Sequence, residues 1–230
     1  MGNKYGSLEF KWLADKGVNP LNDRHTYALA QALFQDVGMV QACFVEGQAG
    51  TGKSTLSVLS GIFQLEKGLY EKVMYIKNAE TIGKELGYMP GGEEKMLIHQ
   101  RPFLEACDMV QPGYYEKDKE SKFPRLEATT PTFIRGTNIK NTFLILDEVQ
   151  SMSLQELQAI LTRVHESTKV VILYSVKQVD GRDKRIKGKL PVEWYAQHFE
   201  GFPVTFHTLH KVYRGAFAQH SDLILDTIDG

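Results

Sequence analysis

The sequence predicts an α/β fold, a parallel sheet with helices on both faces, and three observations predict it. Short apolar runs ("QACFVEG", "KVMYIKN", "TFLILDE", "KVVILYSV", "FPVTFHTL") alternate with segments of helical periodicity. A glycine-rich stretch, "GQAGTGKS", joins the first of these runs to a helix. The third run ends in two carboxylates, Asp147 and Glu148, at the end of a strand where parallel sheets bind ligands.

The elements follow in order. "LNDRHTYALAQALFQDVG" sets Tyr27, Leu29, Leu33 and Phe34 on one face and predicts a helix ending near Gly38. The helix after the glycine-rich stretch starts at Lys53 and runs to about Lys67, with Gly68 as its stop. "KVMYIKN" is the second strand. "ETIGKELGYMPGG" holds a short helix and a Pro-Gly turn, and "EEKMLIHQRPFLEACDMV" a helix with an irregularity near Pro102. Residues 111–125, "QPGYYEKDKESKFPR", are polar, charged and flanked by Pro and Gly, the pattern of a mobile insertion. "SLQELQAILTRVHE" is a helix capped by Ser153. "GRDKRIKGK" is a basic loop, "PVEWYAQHF" a helix and "AFAQHSDLILDTI" a terminal helix.

The bulk composition bounds the function. A chain of 230 residues, 42% hydrophobic and 24% charged, fits one globular domain over 1–230. A formal net charge of −1 excludes a uniformly basic nucleic-acid binder, so any such contact must come from local patches. Two cysteines exclude a disulfide framework, and Cys43 reads as a small core residue. No apolar run approaches the ~18 residues of a membrane span. The expectation is a cytoplasmic protein with no membrane partner. "MGNKYGS" matches a loose N-myristoylation pattern, read here as chance.

Gly47, Gln48, Ala49, Gly50, Thr51, Gly52, Lys53 and Ser54 fit G-x-x-x-x-G-K-[ST] at every position, in the strand–loop–helix setting the motif requires. The glycines let backbone amides turn to phosphate oxygens, and the helix start adds a positive field. Lys53 is placed for the β- and γ-phosphates, Ser54 for Mg²⁺, and Thr55 belongs to the same nucleotide-binding run. Asp147 supplies the second metal-side oxygen. Glu148 is the carboxylate that can orient or deprotonate an attacking water. His207 and His210 lack a third ligand, and no Ser-His-acid set stands out.

Beyond these motifs the chain resembles the PhoH-like family of P-loop ATPases, related to superfamily 1 helicases. The resemblance rests on "ETIGKELGYMPG", "QRPF", "FIRGTNIKNTFLILDEVQ" and "ILTR", and runs from about Asp23 to about Ser221. It implies a RecA-like P-loop NTPase core that uses ATP and Mg²⁺, nucleic-acid-stimulated ATPase activity and, for some members, RNA helicase action. It implies that Gln178 contacts the γ-phosphate. It also implies that Arg214, in "KVYRGAF", reaches the γ-phosphate of a neighbouring subunit, and so a homo-oligomeric ring such as a hexamer. Two departures stand out. Arg24 occupies the place of the family's adenine-reading glutamine, and Ser175-Val176 replace a Gly-Asp pair in "LYSVKQVD". The compact core and divergent motifs would suit a phage-encoded member acting in its host's cytoplasm.

Three functions compete. The first is an ATPase acting on single-stranded RNA or DNA, with the basic loop, Lys77, Lys84 and the aromatics Tyr88, Phe103, Tyr114, Tyr115 and Phe133 as contacts. Each of these also reads as an ordinary solvated face or core residue. The second is an ATP-dependent switch that binds a protein partner without unwinding, favoured by the Ser175-Val176 change. The third, a small-molecule kinase, is disfavoured because Glu148 stands as a water activator.

Overall fold

The computed structural model describes residues 7–78, 100–134, 136, 138–177 and 185–221. "ETIGKELGYMPG", Gln178, Lys84 and Tyr88 lie outside the described residues. Six strands form one parallel sheet: β1 (Ala42–Gly47), β2 (Lys72–Lys77), β3 (Leu126–Thr129), β4 (Thr142–Asp147), β5 (Lys169–Tyr174) and β6 (Val204–Leu209), in the order β3-β2-β4-β5-β1-β6. Every strand pairing in it is parallel. This is the α/β fold that the alternating pattern predicts. The chain leaves β1, crosses to β2 and β3, then returns through β4 and β5 towards β1. Parallel sheets bind ligands at such a reversal, beyond the carboxyl ends of the strands.

Alternation along each strand splits the core into two layers. Cys43, Val45, Val73, Tyr75, Phe143, Ile145, Val171 and Leu173 face one layer. Phe44, Met74, Ile76, Leu144, Leu146, Val170 and Ile172 face the other. The first layer is covered by α1 (Leu8–Asp15), α2 (Arg24–Phe34), α3 (Lys53–Glu66), α4 (Arg101–Val110) and α5 (Tyr114–Lys119). The second is covered by α6 (Leu154–Leu161) and α7 (Pro191–His198). A further helix, α8 (Ala216–Ser221), buries none of its residues. The central helix α3 lies tight on β4: a Cβ at Gly61 would stand 2.7 Å from the Phe143 ring.

Two boundaries differ from the expectation, each for a physical reason, and the Ser153 cap agrees with it. Helix α2 stops at Phe34, not near Gly38. The buried Lys169 ammonium donates to the carbonyls of Ala32 (2.8 Å), Gln35 (3.2 Å) and Val40 (2.5 Å) and gathers the helix end with the following turn. Burial pushes the Lys169 pKa down. Pro102 sits in the first turn of α4, where a missing N–H costs nothing. Ser153 caps α6 in a capping box with Glu156, worth about 1 kcal/mol.

Helix α1 and strand β3 have no counterpart in the expected elements. The stretch 111–125 contains α5. Tyr114 donates its hydroxyl to Glu66, and Asp118 accepts the N–H groups of Arg125 and Leu126 at 2.8 and 2.7 Å, which leads the chain into β3. Cys43 and Cys107 are buried thiols. Among the described residues no helix is long and apolar enough to cross a membrane.

Candidate functional site

The phosphate loop follows β1 and ends in α3. Gly50 and Gly52 hold φ of 81° and 78°, a left-handed backbone that side chains other than glycine rarely adopt. The Thr51 hydroxyl donates to the Gln48 carbonyl at 2.9 Å and closes the turn. A Cβ at Gly47 would stand 2.9 Å from the Thr51 hydroxyl and 3.2 Å from the Leu209 carbonyl. Lys53 opens α3 with only 6% exposure, and among the described residues its ammonium has no ion pair. A buried charge requires a counter-charge, and a phosphate would supply it.

Opposite the loop, Asp147 ends β4 with 1% exposure. Its Oδ2 accepts from the Ser54 hydroxyl at 2.8 Å and from the Tyr75 hydroxyl at 2.5 Å, and its Oδ1 from the Glu148 N–H at 2.9 Å. Burial, then the Asp147 charge, pushes the Tyr75 phenol well above its ordinary pKa, so Tyr75 remains the donor. Ser54 and Asp147 thus bring two hard oxygens together, a donor set that fits Mg²⁺. Among the described residues there is no cluster of three or more His, Cys, Asp or Glu that could hold a metal ion.

Glu148 adopts a left-handed backbone, φ 55° and ψ 40°. That conformation costs a non-glycine residue about 1–2 kcal/mol, and such strain gathers at functional sites. Gln150 donates to Glu148 Oε2 at 2.5 Å, while its own Oε1 accepts the Ser175 N–H at 3.1 Å. The Glu148 carboxylate is therefore tied to the end of β5. The Ser175 hydroxyl is buried without a hydrogen-bond partner. Asn78, just beyond β2, donates to the Ser151 carbonyl at 3.0 Å and braces the same turn.

Arg214 lies beside its own chain's phosphate loop. The resemblance implies a reach into a neighbour's site, but the Arg214 stem lies on the phosphate loop of its own chain: a Cβ at Gly50 would stand 2.6 Å from Arg214 Cγ. The cause is the strand order. Strand β6 borders β1, so the segment leaving β6 runs along the loop that leaves β1. The Tyr213 N–H donates to the Gly50 carbonyl at 2.8 Å and pins this segment there. Arg24 is exposed and donates through Nε to His25 Nε2 at 3.0 Å. The His25 ring meets His210 edge-on at 4.9 Å, so the start of α2 borders the segment that carries Arg214.

The expected nucleic-acid contacts divide. Phe103 and Tyr115 are core residues, while Phe133 is 68% exposed. Tyr114 is held by Glu66. Asp180–Lys184 of the basic loop lie outside the described residues. The rest folds back on α7, where Trp194 Nε1 donates to the Ile186 carbonyl at 2.7 Å and Lys189 lies over the Trp194 ring. Sequence reasoning did not single out Tyr75, Asn78 or Gln150. The available signal for Tyr75 was one hydroxyl-bearing residue inside an otherwise apolar strand, two positions before Lys77, which pairs with Asp147.

A family model described as "PhoH-like protein" matches residues 26–225. The chain belongs to the PhoH-like family. It is 32% identical over 170 residues to Protein PhoH2 of Bacillus subtilis (strain 168), a match covering 71% of this chain and 38% of that protein. It is 31% identical over 207 residues to Protein PhoH2 of Mycolicibacterium smegmatis, covering 88% of this chain and 46% of that protein. The chain thus spans less than half the length of these two relatives. Among solved structures, a point mutant of the Thermus phage P74-26 large terminase ATPase domain overlays with a TM-score of 0.49 at 12% identity, covering 94% of this chain and 90% of that one. The described residues of this PhoH-like chain form an α/β fold whose glycine-rich loop joins β1 to α3.

Proposed function

We propose that this PhoH-like chain hydrolyses ATP with Mg²⁺ and couples hydrolysis to binding or remodelling single-stranded nucleic acid. One arrangement carries the hydrolytic part: Asp147 is buried against Ser54, and the carboxylate of Glu148, the next residue, is held by Gln150. A nucleotide-binding protein needs only the first of these. The second positions a carboxylate beside the cation site, where it can take the proton of an attacking water.

In this reading the loop amides and Lys53 bind the β- and γ-phosphates. Ser54 and Asp147 hold Mg²⁺, which supplies charge neutralisation between the phosphates. Gln150 fixes the direction of the Glu148 carboxylate. Arg214, already on its own loop, places positive charge at the transferring group. An arginine in cis can serve as well as one in trans, so turnover does not require a ring. Assembly into a homo-oligomer remains part of the proposal, and light scattering with and without ATP tests it separately.

The nucleic-acid part has coarser support. Lys77 ends β2 and the exposed Phe133 follows β3, so both lie at the carboxyl edge of the sheet that carries the phosphate loop. The deciding experiment measures ATP turnover at low salt with and without single-stranded RNA or DNA. Strong stimulation is expected. Turnover that ignores both polymers would leave a regulatory ATPase with a protein partner, the reading that Ser175-Val176 favours.

A further inference from the structure

Tyr75 lies in the layer of the sheet that Val73, Phe143, Ile145 and Val171 fill with hydrocarbon, and it is fully buried. Its ring stacks on Phe103 at 5.1 Å and 22°, and Phe103 meets Tyr115 edge-on at 5.7 Å. Phenylalanine would satisfy that packing. The hydroxyl has a separate use, the bond to Asp147 Oδ2. Register explains the reach: Tyr75 pairs with Ile145, two residues before Asp147 on the same face.

A carboxylate offers about four acceptor sites. Three are taken here by Ser54, Tyr75 and the Glu148 N–H. The carboxylate is thereby fixed in rotation, with little left to present except towards the phosphate loop. Neither the loop motif nor the Asp-Glu pair requires a tyrosine at this place.

We infer that Tyr75 is a positioning residue for the cation site, holding Asp147 so that it and Ser54 meet a divalent cation in a single orientation. The inference rests on the ATPase reading above. Groups that orient a metal ligand typically contribute about 10–100-fold to metal affinity.

The test is binding of a fluorescent ATP analogue to the full chain, followed by anisotropy while Mg²⁺ is titrated. Tyr75→Phe keeps the ring and removes the hydroxyl. It is expected to bind the analogue normally in EDTA and to need about 10-fold more Mg²⁺ at half-saturation. An unchanged Mg²⁺ midpoint in a variant with a normal thermal melt overturns the inference. Phe103→Leu disturbs the stack but keeps the hydroxyl, and its Mg²⁺ midpoint is expected to stay near that of the unsubstituted protein. A shift as large as that of Tyr75→Phe would assign the effect to packing and overturn the inference as well. Absence of Mg²⁺-dependent binding in the unsubstituted protein would sink the ATPase reading itself, whereas equal midpoints in the two proteins sink only the role of Tyr75.

Discussion

The phosphate loop is one contiguous stretch, Gly47 to Ser54, shaped by two left-handed glycines and a threonine hydroxyl that reaches three residues back. The carboxylate corner facing it is assembled from separate strands and their ends: Asp147 from β4, Tyr75 from β2 and the Ser175 amide from just beyond β5, with Gln150 between them. The first is defined by local backbone geometry, at Gly47, Gly50 and Gly52 above all. The second depends on strand register, so its members are spread over 101 positions of sequence, from Tyr75 to Ser175. In the proposed mechanism, binding a phosphate is a local property of this chain. Acting on it requires the sheet.

Substitutions can break that contrast in order of expected size. Arg214→Ala is expected to lower turnover most, by about 10³-fold or more, with ATP affinity largely kept. Mixing it with Glu148→Gln subunits should restore nothing, because in the proposed mechanism Arg214 serves its own loop. Recovery of turnover in the mixture would move Arg214 to a neighbour's site and make the loop depend on assembly.

Glu148→Gln is expected next, at about 10²–10⁴-fold in single-turnover hydrolysis, with the variant still loading ATP. Undiminished hydrolysis would reduce the corner to a cation holder. Gln150→Ala probes the corner's register alone and is expected to cost about 10-fold in kcat, or roughly 1.4 kcal/mol of barrier, with ATP affinity unchanged. If ATP affinity fell instead, Gln150 would belong with the loop rather than with the corner.

The same contrast explains what could be read from the sequence. Gly47–Ser54 was legible because its residues are adjacent and the glycines, Lys53 and Ser54 have separate chemical tasks. Asp147 and Glu148 were legible because they end an apolar strand side by side. Tyr75 and Gln150 were not, since their roles appear only once β2, β4 and β5 are in register. Strand β3 was missed because "LEAT" is short, half polar and at the sheet edge, where one side needs no partner. Arg214 was legible as a candidate, but its place on its own chain's loop was not, because sequence spacing does not reveal that β6 borders β1.

The contact between Gly61 and Phe143 works as the pivot of a caliper. Gly61 lies seven residues along α3 from Ser54, about 10 Å. Phe143 lies four residues along β4 from Asp147, about 13 Å. The two arms of the caliper end at Ser54 and Asp147, whose oxygens meet at 2.8 Å. A methyl group added there would act far from any nucleotide, yet it would be felt as a change in the spacing between Ser54 and Asp147.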